Sequence, residues 1–132
     1  MLGMLALATA IQLSAQVQEL APGTQYDPSI PTLEDVVGHD FREEITPPDQ
    51  VVRYFEALAD AARDRTQLIQ YAESWEGRPL VILVIGSRER IAALDDVKAG
   101  LTRLAQPDGL SDADADALIA DLPVVTALMH GV

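Results

Sequence analysis

Two histidines, 21 carboxylates and no cysteine bound the chemistry open to this chain. The missing cysteine excludes thiol catalysis, thiolate metal sites and a disulfide framework. His39, Asp40, Glu43 and Glu44 gather an imidazole and carboxylates in a short span. His39 and Glu43 are spaced i, i+4, which would place both on one face of a helix. Gly38 and the nearby prolines oppose such a helix, and no second cluster completes a shell, so metal binding is the weaker reading. Asp112, Asp114 and Asp116 imitate the start of a calcium loop. The imitation then fails, with Ala117 where the loop needs Gly and Pro123 where it needs its closing Glu. Carboxylates in the first turns of a helix are explained by its dipole. Arg78 is a candidate for substrate carboxylate, although an arginine in a turn more often holds a structural acid or a carbonyl. Trp75 beside it reads as packing or rim. No Gly-rich phosphate loop is present, and no Ser-His-Asp set can be assembled from two histidines without partner spacing.

The elements that must position these residues centre on Glu73-Ser74-Trp75-Glu76-Gly77-Arg78-Pro79. Before it, residues 66–72 mix β-branched, aromatic and polar types. After it, Leu80-Val81-Ile82-Leu83-Val84-Ile85 is unbroken apolar chain, suited to a strand covered on both faces. Gly77 can supply a positive φ for a tight connection, and Pro79 fixes the exit. The stretch therefore predicts a β-hairpin whose second strand is central to a sheet.

Totals narrow the partners. A net charge of −12 opposes nucleic acid and anionic membranes, whose phosphates would be repelled. At 132 residues and 48% hydrophobic, the chain suffices for one domain with a core.

Residues 1–16 are uncharged, mostly apolar and too short to span a bilayer. Ala8-Thr9-Ala10 and Ser14-Ala15-Gln16 supply small residues, so the segment reads as a secretory signal that lacks its usual basic start. An ordinary core helix is the alternative. A secreted or periplasmic location is expected, with no stable membrane anchor once the signal is removed. Residues 17–47 are expected to form an extended lead-in on the domain surface, punctuated by prolines and glycines, with a helical turn over residues 32–37.

Residues 48–132 carry the ordered elements. Thr46 is expected to cap a helix with Pro47 at its first position and Asp49 completing a capping box. Val51, Phe55, Leu58 and Ala62 form its stripe, and Arg63 and Arg65 lie at its negative end. Ser87 caps a second helix striped by Ile91, Leu94, Val97, Leu101 and Leu104, ended by Gln106-Pro107-Asp108-Gly109. Ser111 caps a third with Leu118, Ile119 and Leu122. Pro123-Val124-Val125-Thr126-Ala127-Leu128-Met129 then reads as a buried strand. A strand returning after helices predicts an α/β fold, with a mixed, mostly parallel sheet flanked by helices and still incomplete at Val132.

The order of these features resembles the front of the zinc carboxypeptidases, the carboxypeptidase A-like peptidases, in a bacterial exported branch. The residues that carry it are Ser74-x-Glu76-Gly77-Arg78-Pro79, Gly86-Ser87, Ile91-Ala92-x-Leu94-Asp95-Asp96, Leu110-Ser111-x-Ala113-x-Ala115-x-Ala117-Leu118-Ile119 and Pro123-Val124-Val125. The resemblance spans roughly residues 31–132. It implies an N-terminal portion of a catalytic domain, inactive by itself. In the family, a strand like residues 124–129 runs into a His-x-x-Glu motif that supplies two zinc ligands, and the remaining catalytic residues lie further on. The implied cofactor is zinc, the substrate a peptide or protein, and the reaction hydrolysis of C-terminal peptide bonds by zinc-activated water. His130 either opens that motif as a ligand or stands three places before the ligand His; the second register is favoured. Arg90 departs from the branch, which has an asparagine there. Two rival readings remain: a non-enzymatic binding or inhibitory module, and part of a related zinc amidohydrolase acting on acylated amino acids.

Overall fold

A computed structural model of the chain describes residues 23–129. The expected signal segment and His130 lie outside the described residues.

Helix α1 spans Leu33–Val37. It starts where a capping box forces it to: the Asp35 amide donates to Thr32 Oγ1, and the Thr32 amide donates to Asp35 Oδ2 at 2.8 Å. It stops at Gly38, whose φ of 89° is left-handed and cheap only for glycine. Helix α2 spans Pro48–Ala61. The expected start is off by one. Pro47 takes the cap position, Pro48 the first helical one, and no side chain caps the helix. Thr46 has other work, bonding to His39. The expected arginine dipole pair is not at the end of α2 either. Arg63 pairs with Asp60, and Arg65 reaches back to Asp27.

Strands β1 (Thr66–Glu73) and β2 (Pro79–Ile85) pair antiparallel, with Leu68 opposite Leu83 and Ile69 opposite Ile82. The turn closes through the Ser74 amide to the Arg78 carbonyl at 2.8 Å and the Gly77 amide to the Ser74 carbonyl at 2.9 Å. Gly77 has a φ of 76°, as its place in the sequence predicts. A bulge falls between Gln70 and Ala72. Helix α2 packs against both strands.

Beyond β2, Ser87 caps α3 (Arg88–Ala92) by accepting from the Arg90 amide. The single helix expected here is two. Ala93 leaves the helical region (φ −104°, ψ 23°), and α4 runs over Leu94–Ala105. Asp95 and Asp96 lie in the first turn of α4, where acids favour a new amino terminus. Ser111 caps α5 (Asp112–Asp121) as expected. Among the described residues no helix is long and apolar enough to cross a membrane.

Two expectations are corrected. The chain is mixed helix and strand, but its described sheet has two strands and its pairing is antiparallel, not parallel. Residues 123–129 form no strand. They run exposed, with Val124 at 96% and Met129 at 95% of full accessibility. The reason is common to both: a strand needs a hydrogen-bonding neighbour, and none is offered among the described residues. For the same reason β2 is not covered on both faces, and Ile82 is 50% exposed. The core among the described residues is small, with Ala62, Val97, Gly100 and His39 as its buried members.

Candidate functional site

The hairpin turn is closed by bonds from both backbone and side chain. The Arg78 amide donates to Ser74 Oγ at 3.0 Å, adding a side-chain clamp to the backbone bonds of the turn. Arg78 Nη2 pairs with Glu76 Oε2 at 3.0 Å, and both side chains are largely solvated. Arg78 thus meets a carboxylate of its own turn, in a solvent-screened pair of small energetic weight. Trp75 packs against nothing; it is fully exposed at the turn, so the packing reading is corrected.

His39 lies at the joint between α1 and α2 and is 5% exposed. The Asp40 carbonyl 3.2 Å from Nδ1 can only accept, so Nδ1 carries the proton. Nε2 is then free to accept from the Thr46 hydroxyl at 3.4 Å. Both ring nitrogens are used in holding the loop. Glu43 is not stacked with His39 on a helix; its Oε2 accepts from the Asp40 amide at 2.8 Å inside a turn. The cluster of His39, Asp40, Glu43 and Glu44 is a folded loop with no convergent ligand set.

On α5, Asp114 accepts from the Ser111 hydroxyl at 2.7 Å while its own amide donates back to Ser111. Asp112 and Asp114 occupy the first turn. An open depression beside them is lined by Arg103, Leu110, Asp114, Ala117 and Leu118. It holds one cation and one carboxylate, and Arg103 Nη1 already donates to the Asp108 carbonyl.

The residues that hold the architecture were not singled out by spacing. Arg53 Nη2 donates to the Val36 carbonyl at 2.9 Å, capping α1 from α2. Arg90 Nη2 donates to the Asp121 carbonyl at 2.7 Å, capping α5 from α3. Arg90, where the resemblance leads one to expect an asparagine, thereby has a structural use. Each of these bonds joins elements far apart in the chain, so no local motif could announce them. Tyr54 donates to the Pro31 carbonyl at 3.5 Å, and burial, aided by nearby Asp35, pushes its phenol up from the ordinary value.

Among the described residues no group of three or more His, Asp or Glu side chains is arranged to hold a metal ion. The described residues by themselves do not fit a zinc site. No family model, curated protein or solved structure matches the chain. The likeness to zinc carboxypeptidases stands on its own residues alone.

Proposed function

We propose that this chain supplies the hairpin-and-helix portion that leads to the metal centre of an exported zinc metallocarboxypeptidase acting on peptide or protein substrates. The observation that supports it is the ordered set around β2. The Ser74-x-Glu76-Gly77-Arg78-Pro79 turn joins β1 to β2, and β2 passes through Gly86-Ser87 into a capped helix. After α5, residues 124–129 leave as a mostly apolar run with neither helix nor strand. On this reading those residues become a parallel strand of a larger mixed sheet, and His130 lies at or beside the zinc. The zinc ligands and catalytic groups come from outside the described residues, and these residues alone carry no peptidase activity. Export would place the protein outside the cytoplasm or in the periplasm.

The test is the encoding DNA past codon 132. A His-x-x-Glu motif within the next few codons, and zinc-dependent release of C-terminal amino acids from peptides by the product of that longer frame, are expected. A frame that continues without the motif rejects the reading. Release of acetate or another acyl group from acylated amino acids, with peptides untouched, would assign the chain to the amidohydrolase alternative instead.

A further inference from the structure

The turn between α4 and α5 brings together two reactive groups that the fold leaves unengaged. Asp108 is the one aspartate in the chain that is followed by glycine. Both residues are exposed. The Leu110 amide donates to the Pro107 carbonyl at 2.8 Å, which closes the turn around them. Gly109 has a φ of 72°, and no atom beyond its chain neighbours comes within 4 Å of where a Cβ would stand. Among the described residues, no hydrogen bond holds the Gly109 amide and none holds the Asp108 carboxyl. The chain's other step from an acid to a glycine, Glu76–Gly77, differs on both counts. There the Gly77 amide donates to the Ser74 carbonyl at 2.9 Å, and the Glu76 carboxylate pairs with Arg78. The main-chain carbonyl of Asp108 does have a partner, Arg103 Nη1 at 3.2 Å.

We propose that Asp108 is a site of spontaneous backbone modification, converting through a cyclic imide with Gly109 to isoaspartate, and that Arg103 directs the ring to open that way. The Gly109 amide nitrogen attacks Cγ of the Asp108 carboxyl in its acid form. A C–N bond forms, one C–O bond breaks, and the hydroxyl leaves with the amide proton as water. Glycine suits this step, because no side chain crowds its nitrogen and its backbone turns freely. Water then opens the imide at one of two carbonyls. Attack at Cγ restores aspartate. Attack at the former main-chain carbonyl breaks its bond to the Gly109 nitrogen and leaves the chain running through Cβ and Cγ, which is isoaspartate. Arg103 donates to the oxygen of that second carbonyl, where negative charge develops as water adds, so the guanidinium favours the isoaspartate route. No oxidant or reductant takes part. The net charge is kept, and the carbonyl that Arg103 held becomes a carboxylate. One carbon is added to the main chain just ahead of Ser111, the cap of α5, so α5 is the element that shifts. This chemistry belongs to the turn alone and is independent of the carboxypeptidase reading.

The test is to age the full chain for weeks at physiological temperature and pH, digest it, and resolve the peptide that holds residue 108 by chromatography and mass spectrometry. That peptide should gain an isomer of unchanged mass, preceded by a minor species lighter by one water. The isomer should accept a methyl group from S-adenosylmethionine through an isoaspartyl methyltransferase. Asp108→Glu, which would need a larger ring, and Gly109→Val, whose branched side chain crowds the nitrogen, should each lose most of the isomer. Ageing in heavy-oxygen water labels both products of the imide, so the ratio of labelled isoaspartate to labelled aspartate reads the ring opening directly. Arg103→Ala should lower that ratio by about two- to threefold, the weight of a solvent-exposed hydrogen bond. An unmodified Asp108 after weeks, or isomer spread evenly over the other aspartates, overturns the proposed site. A labelled ratio indifferent to Arg103→Ala overturns the part given to the guanidinium.

Discussion

The segment that runs from residue 31 through α2 is less apolar than the segment that follows α5, yet it is the better fastened. In the first, polar bonds fasten each joint. Arg53 caps α1, Tyr54 holds the Pro31 carbonyl, and His39 spans to Thr46. In the second, one guanidinium at Asp121 and one close contact, Leu122 against Gly100, are the last fastenings. Val124, Val125, Leu128 and Met129 then lie open to solvent. Hydrophobicity supplies the drive to bury, but a backbone is placed only where its carbonyls and amides find partners. The first segment brings its partners from its own helices. The second needs a strand neighbour.

The sharpest way to break the second region is at its tightest contact. A Cβ on Gly100 would sit 2.8 Å from Leu122 Cδ2. Gly100→Leu is expected to expel Leu122 from α4 and cost about 2–3 kcal/mol, as overpacking typically does. The midpoint of urea unfolding should fall, and amides of α5 should lose protection first. Gly100→Ala should cost far less, because Leu122 can rotate away and alanine favours the helix. A break of similar kind in the first region is His39→Ala. It leaves a cavity and an unpaired Thr46 hydroxyl, and about 2 kcal/mol should be lost. That loss should appear as exchange in α1 and the start of α2, not in α5. If the two variants loosened the same amides, the two regions would be one cooperative unit and the contrast between them would fail. Arg90→Ala is milder. The bond to Asp121 is charge-assisted but solvent-exposed, so about 1 kcal/mol is expected, and Arg90→Lys should restore only part of it because a single ammonium lacks the guanidinium fork.

Features that depend on neighbours in the chain were legible in the sequence. The caps at Ser87 and Ser111, the turn about Thr32, and the positive φ at Gly77 each follow from residues within four positions. So did the hairpin. What could not be read is everything that depends on distant partners. The start of α2 shifted because Thr46 is drawn to His39, and the helix after β2 broke at Ala93 where Asp95 and Asp96 favour a fresh start. The strand expected over residues 123–129 failed for a different reason: its apolar run is that of a strand, but pattern alone cannot supply a ladder. At the candidate sites, Asp112 and Asp114 were legible as acids of the first turn of α5. The burial of His39 was not, because its loop has no period to betray an inward face.

Acid sharpens the contrast by a smaller effect. Hydrogen bonds from the Thr32 hydroxyl and amide hold the Asp35 carboxyl below the usual carboxylate range, and those from Ser29, with a lesser contribution from Arg65, do the same for Asp27. A carboxyl whose value is lower in the folded chain binds its proton more readily in the unfolded one. Its contribution is complete above the unfolded value, near pH 4, and is lost as pH falls through the folded value. Asp35 lies in the first region, and Asp27 just ahead of it. Acidification should therefore open the capping box of α1 while the hairpin bonds, which are backbone to backbone, persist. Hydrogen exchange of α1 read against the hairpin amides over this range should show α1 yielding first, and Asp35→Asn should flatten its pH dependence by removing the titrating group. Hairpin amides that loosened in step with α1 would mean that the well-fastened region also holds the sheet, so that the boundary between the two regions lies beyond β2.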